Sequence, residues 1–251
     1  MTLLIIRHGE TPLNVARVLQ PANTPLSARG LAQAAALARR LAAAAPAALR
    51  RQTADPAVLP RQTTDPTALP RQTADPAALP RPTADPAALP RPVAIVSSDL
   101  PRALQTAQAI AAACGLTVLT STLLHERNFG QLRGLPYDSL GFDPLSSEAA
   151  APGGESLSDF KARCRQAWAW VLAQHTALGG PMAVVTHGLV IRHWLHDGPL
   201  AVPGGMALPT GLANTSLTLV AGAAPHTVRL LGCTAHLVGG VGDDNASLSG
   251  G

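Results

Sequence analysis

Two segments of this chain share one design. Leu3-Leu4-Ile5-Ile6-Arg7-His8-Gly9 and Met182-Ala183-Val184-Val185-Thr186-His187-Gly188 are apolar runs of the buried-strand kind, each closed by a His-Gly pair. Laid parallel in one sheet, they bring two imidazoles together at its carboxyl edge. That edge is where open α/β sheets hold their ligands. Two histidines with an arginine beside one of them point to chemistry on an anion, most simply a phosphate.

The rest of the chain fits a helix-covered sheet. With 251 residues and 47% hydrophobic content it can build one sizeable α/β core, yet only 3% is aromatic, so Ala, Leu and Val carry the packing. Strands are expected at about 2–7, 93–96, 116–119 and 182–186, and again near 215–220 and 227–232. Helices are expected at about 28–45 behind Ser27, 100–113 ending at Gly115, 157–174 behind Ser156, and 189–197. Strands alternating with helices predict a three-layer α/β fold, a mostly parallel central sheet flanked by helices. Residues 51–90 interrupt it with four copies of a decapeptide, RQTADPAVLP in its first form, and a fifth copy begins at Arg91-Pro92. Proline at two or three positions in ten breaks helices and removes ladder donors. The reading is one domain over 1–240, interrupted at 51–92 by an extended, disordered Pro-rich insertion, with a flexible tail at 241–251.

Composition excludes several function classes. The net charge of +4 is nearly all arginine, and Lys161 is the only lysine. The arginines are scattered rather than clustered with aromatics, so no nucleic-acid footprint is expected. Cys114, Cys164 and Cys233 lack metal-ligand spacing and read as buried free thiols. No run of about 20 apolar residues would span a membrane. The N-terminal apolar run stops at Arg7 with no basic region before it, so a cytoplasmic protein is expected. Each copy of the repeat carries one Arg and one Asp, so it is not an electrostatic arm, and the sequence names no protein partner for it.

The motifs sharpen the phosphate reading. Arg7-His8-Gly9-Glu10-Thr11, with Asn14 beyond it, resembles the signature of the histidine phosphatase superfamily, the family of cofactor-dependent phosphoglycerate mutase and the acid phosphatases. Thr24-Pro25-Leu26-Ser27 with Gly30 resembles the family's next motif. Ser97-Ser98-Asp99-Leu100-Pro101-Arg102-Ala103 with Thr106 resembles its second-arginine motif, and Leu124-His125-Glu126-Arg127-Asn128-Phe129-Gly130 its acid motif. Pro152-Gly153-Gly154-Glu155-Ser156 and Val185-Thr186-His187-Gly188 complete the set, in order along residues 3 to about 236.

The resemblance implies a phosphoglycerate mutase-like fold and a division of labour. His8 would be the nucleophile that forms a phosphohistidine. Arg7 and Arg102 would clamp the phosphoryl oxygens with planar, charge-assisted forks. His187 would stabilise charge during transfer, and Glu126 would protonate the leaving oxygen and then activate water. Asn14 adds a neutral donor, Gly9 a close backbone approach to the phosphate, and Thr24, Arg127 and Gly188 further substrate contacts. Glu10 and Glu155 are the competing acidic candidates. No cofactor and no metal is required on this reading. His193 and His196 are spaced i, i+3, but no carboxylate motif accompanies them.

Branches of the family differ after the acid motif. In the mutase branch a long basic insertion there helps close the site. Here residues 135–151 carry Asp138, Asp143 and Glu148 and no Lys or Arg. Phe129 also stands where the mutases typically carry a tyrosine. The expected activity is therefore metal-independent hydrolysis of small phosphorylated metabolites. A mutase-type phosphoryl transferase and a non-catalytic phospholigand binder that uses the repeat as its interaction arm are the alternatives. Gln20-Pro21-Ala22-Asn23 also departs from the family pattern, which usually has a Gly soon after the Gln, and this bears on substrate preference more than on chemistry.

Overall fold

The computed structural model describes residues 1–44, 89–209 and 211–237. The decapeptide copies up to residue 88 and the tail at 241–251 lie outside the described residues.

A seven-stranded sheet forms the middle layer. Its strands are β1 (Thr2–Arg7), β2 (Ala94–Ser97), β3 (Val118–Thr120), β4 (Met182–Thr186), β5 (Leu200–Ala201), β6 (Leu217–Ala221) and β7 (His226–Cys233), in the order β3-β2-β4-β1-β6-β7-β5. β3, β2, β4 and β1 run parallel, and β6 turns antiparallel beside β1. Mostly parallel is therefore right, with an antiparallel edge added by the C-terminal strands. β5 is too short to show a sequence period, and it pairs parallel with β7.

The strands are buried on both faces, as their unbroken apolar runs require. Leu3 and Ile5 of β1 and Met182 and Val184 of β4 point into one core; Leu4, Ile6, Ala183 and Val185 point into the other. The second core is closed by α2 (Ala28–Ala43) and α3 (Pro101–Cys114), which pack on each other, through Leu37, Leu41, Ala107 and Ile110. The first is closed by α4 (Leu157–Leu178) and α5 (Gly188–His196). There Trp168 and Trp194 meet edge-on at 5.2 Å and the Trp194 indole donates to Cys164 O at 3.0 Å. Trp168 and Trp194 are packing residues. Among the described residues no helix is long and apolar enough to cross a membrane.

Local chemistry fixes the helix ends. The Ser27 hydroxyl accepts from Gly30 N–H and that of Ser156 from Asp159 N–H, side-chain caps worth about 1 kcal/mol each. Gly115 ends α3 in the left-handed region at φ 69°, where its missing Cβ costs nothing. The loop-rich stretch before α4 contains only short 3-10 turns. One thiol departs from expectation: Cys114 and Cys164 are buried, but Cys233 is only half-buried at the end of β7, where its sulfur accepts from Arg40.

Candidate active site

β1 and β4 pair with Arg7 opposite Thr186, so His8 and His187 leave the sheet side by side at its carboxyl edge. Their ring centroids lie 5.1 Å apart and both side chains are fully buried. His8 enters a loop. Its backbone N–H donates to Thr186 O at 3.0 Å, and its Nδ1 lies 2.7 Å from Gly9 O. A carbonyl only accepts, so Nδ1 carries the proton and the lone pair resides on Nε2. His187 starts α5. Its Nε2 lies 2.9 Å from Ser98 Oγ, and Ser98 Oγ also accepts from Leu100 N. The hydroxyl keeps a second acceptor site as well as its proton, so it pairs with Nε2 in either tautomer of the ring. Burial holds His187 well below the usual imidazole pKa, and the charges of Arg102 and His8 push the same way. It is neutral at physiological pH.

Two buried arginines face this pair. Arg7 ends β1 and donates to Leu212 O. Arg102 is the second residue of α3, 2% exposed, with Nη1 3.5 Å from Pro21 O. Burial lowers Arg102 to about 10 against the pull of Glu126, so it stays charged at neutral pH. Thr106, one turn on in α3, accepts from Gly9 N–H at 3.0 Å and donates to Arg102 O at 2.8 Å. It ties the His8 loop to the helix that carries Arg102.

Glu126 completes the cluster. Its carboxylate accepts Arg127 N–H on Oε1 at 3.0 Å and Leu189 N–H on Oε2 at 3.1 Å. Burial raises its pKa, and it outweighs those two donors and the fields of Arg102 and Arg7. The rival carboxylates are committed elsewhere. Glu10 accepts from Ser27 Oγ at 2.7 Å and lies 3.7 Å from Arg29, while Glu155 is bound by Arg163.

Other expected residues divide. Asn14 closes the capping box of α1 (Pro12–Val15), whose N-cap is Thr11: its Oδ1 accepts from Thr11 N, and its Nδ2 is buried with no partner among the described residues. Gly188 begins α5 beside His187. Thr24 turns its hydroxyl to Pro21 O at 2.9 Å, on the loop that meets Arg102. Gly9 is required by packing, because a Cβ there would lie 2.7 Å from Gly30 O. Arg127 is not where a substrate contact was expected. Its guanidinium donates to the carbonyls of Glu155, Pro144, Leu145 and Ser147 at 2.7–3.3 Å, so it pins a loop, and only its backbone N–H serves the Glu126 carboxylate.

Sequence reading missed the 213–216 segment. Asn214 Nδ2 donates to His8 O at 3.1 Å and lies 3.4 Å from Asn14 Oδ1, and Thr215 N–H donates to the same His8 carbonyl at 3.2 Å. Thr215 does so from φ 55°, a left-handed backbone that a β-branched residue rarely adopts. No histidine or acid in this stretch drew attention to it. Away from the cluster, His193 and His196 line a cavity of about 290 Å³ between α4 and α5, with His193 Nδ1 3.7 Å from Asp197. Among the described residues no three His, Cys, Asp or Glu side chains converge as metal ligands.

Comparison with known proteins gives this arrangement its family. Residues 3–60 and 85–231 match the histidine phosphatase superfamily (branch 1), and the chain belongs to it. It is 41% identical over 109 residues to phosphoglycerate mutase-like protein 4 of Arabidopsis thaliana, covering 39% of this chain and 46% of that protein. It is 34% identical over 135 residues to probable phosphoglycerate mutase GpmB of Yersinia pestis, covering 50% and 61%. The chain thus spans about half the length of the curated relatives it matches. The structure of mycobacterial glucosyl-3-phosphoglycerate phosphatase with VO3 superposes with a TM-score of 0.61 at 26% identity, over 92% of this chain and 99% of that one.

Proposed function

We propose that this protein is a metal-independent phosphatase of small phosphomonoesters, working through a phosphohistidine on His8. The observation that carries the proposal is a buried carboxyl, Glu126, held by the Leu189 N–H two residues beyond His187, raised in pKa and within the field of both arginines, together with a His8 imidazole whose lone pair is on Nε2. Arg7, Arg102 and the ring N–H of His187 supply positive charge to the phosphoryl oxygens. His8 Nε2 attacks phosphorus as the ester P–O bond breaks, and protonated Glu126 gives its proton to the leaving oxygen. The carboxylate so formed takes a proton from water as the water oxygen attacks phosphorus. The P–N bond breaks, and phosphate leaves with His8 and Glu126 restored. Asn14 Nδ2 offers a further donor.

Hydrolysis is favoured over mutase chemistry by the segment 135–151. It has no Lys or Arg, and Arg127 holds its carbonyls at Pro144, Leu145 and Ser147. It adds no cation of its own to Arg133, which precedes it, for retaining a bisphosphorylated intermediate. A mutase remains the second reading because the curated relatives carry that name. The test is turnover of p-nitrophenyl phosphate and a phosphomonoester panel in EDTA, for wild type and His8→Ala. Activity that resists EDTA and disappears in His8→Ala is the expected result. Activity that survives His8→Ala would overturn the mechanism, and isomerisation of 3-phosphoglycerate without net phosphate release would select the mutase.

A further inference from the structure

Arg163 lies outside every motif assigned a chemical role, yet its guanidinium is fully engaged. It projects from the second turn of α4 and reaches back under the acid motif. Nη1 donates to Leu123 O at 2.9 Å and His125 O at 2.7 Å, and Nη2 donates to Glu126 O at 3.3 Å. Nε and Nη2 also form a two-pronged pair with Glu155, Nε to Oε1 and Nη2 to Oε2, both at 2.8 Å. Glu155 Oε2 in turn accepts Asn128 N–H at 3.3 Å, and Glu155 N–H donates to Asn128 O at 2.7 Å. The segment 123–128 has no regular ladder after its one 3-10 turn. Its backbone groups need partners, and this ion pair supplies them.

We infer that the Arg163–Glu155 pair is a positioning device for the general acid, fixing the main chain at Glu126 so that its carboxyl stays at the leaving oxygen. The inference rests on the proposed role of Glu126 as acid and base. The geometry is specific. A planar guanidinium meets three carbonyls and one carboxylate at once, whereas a lysine ammonium is a point donor that cannot span them. Among the described residues the Glu126 carboxyl itself is held by two backbone N–H groups, of Arg127 and Leu189. Both bonds depend on where the 123–128 backbone lies, and a displacement of about 1 Å can cost on the order of 10²-fold in rate. Glu155 keeps the half-buried guanidinium paired, so that its desolvation is offset by a counter-charge.

The leaving group separates positioning from general structural damage. p-Nitrophenolate departs without much help from an acid, whereas an alkoxide needs the proton. In Arg163→Lys, kcat/KM for glycerol 3-phosphate, which runs only to release of the alcohol and so leaves out the water step that Glu126 also serves, should fall about tenfold or more, while kcat/KM for p-nitrophenyl phosphate changes less than about threefold. Glu155→Gln, which keeps the arginine and loses the counter-charge, should show the same selectivity at smaller size, and it serves if Arg163→Lys fails to fold. Equal losses of kcat/KM on both esters in a folded variant would overturn the inference. Glu126→Gln is the reference: if it also spares the alkyl ester, the acid role and the inference fall together. If it alone loses the alkyl ester, only the inference falls. A wild type inert on both esters overturns the phosphatase reading itself.

Discussion

The two His-Gly strand ends begin from the same sequence design and finish as different devices. At the end of β1 the chain turns into a loop, and His8 keeps its Nδ1 on the next carbonyl. Its own carbonyl is held by Asn214 and Thr215, from the segment that leads into neighbouring β6. At the end of β4 the chain enters α5 at once, and His187 is locked by Ser98 on β2's exit. One histidine has its lone pair presented and its backbone braced; the other is a buried, neutral ring at a helix N-terminus. Equivalent positions on adjacent parallel strands therefore acquire unlike chemistry from the segments they lead into, a loop in one case and a helix in the other.

The sharpest way to break that contrast is to remove the neutral ring. His187→Ala should lower kcat by about 10²–10³-fold, the size of losing one preorganised donor, with His8 still phosphorylated, as phosphohistidine trapping in acid-free gels would show. Loss of the phosphoenzyme in His187→Ala as complete as in His8→Ala would mean that the two rings act as one unit.

Acid stability offers a smaller but cleaner readout. His187 is protonated in the unfolded chain below about pH 6.5, whereas in the folded state its pKa lies well below that value. The unfolded state thus binds more protons as the pH falls, and folding stability drops from pH 6.5 downward at up to ~1.4 kcal/mol per pH unit for this group. His236, lowered to about 4 by burial, pulls the same way. Urea denaturation at pH 7.5 and 5.5 should show wild type losing about 1 kcal/mol more than His187→Asn over that interval. Identical losses would place the histidine's titration at its ordinary value.

The β1 and β4 ends were both legible in the sequence because unbroken apolar runs announce buried strands, and a His-Gly after each marks the edge. Ser27, Ser156 and Gly115 likewise announced helix ends, since capping is a local interaction. The roles of Arg127 and Arg163 were not legible. Both depend on carbonyls brought in from segments 17 to 40 residues away in sequence, and a carbonyl carries no sequence signature. Asn214 was hidden for the same reason. β6 is antiparallel to β1, so the residues preceding it arrive at the carboxyl edge from the opposite direction.

Asn214 gives the finest test of the contrast, because only the β1 end leans on it. Its amide donates to His8 O and approaches Asn14 Oδ1, which itself accepts Thr11 N–H and so completes the cap of α1. In Asn214→Ala the His8 carbonyl keeps Thr215 N–H, so the loop persists with one donor fewer. Stability should fall by about 1 kcal/mol and kcat by no more than about tenfold, with both leaving groups affected alike because the nucleophile rather than the acid is disturbed. Asn214→Asp should be worse than Asn214→Ala. Its carboxylate would place acceptors against two acceptors, His8 O and Asn14 Oδ1, where the amide had supplied protons. Steady-state rates and urea midpoints for the two variants decide the matter. An aspartate no worse than the alanine would show that the amide donates to neither, and that the His8 end is held by Thr215 and by its bond to β4 alone.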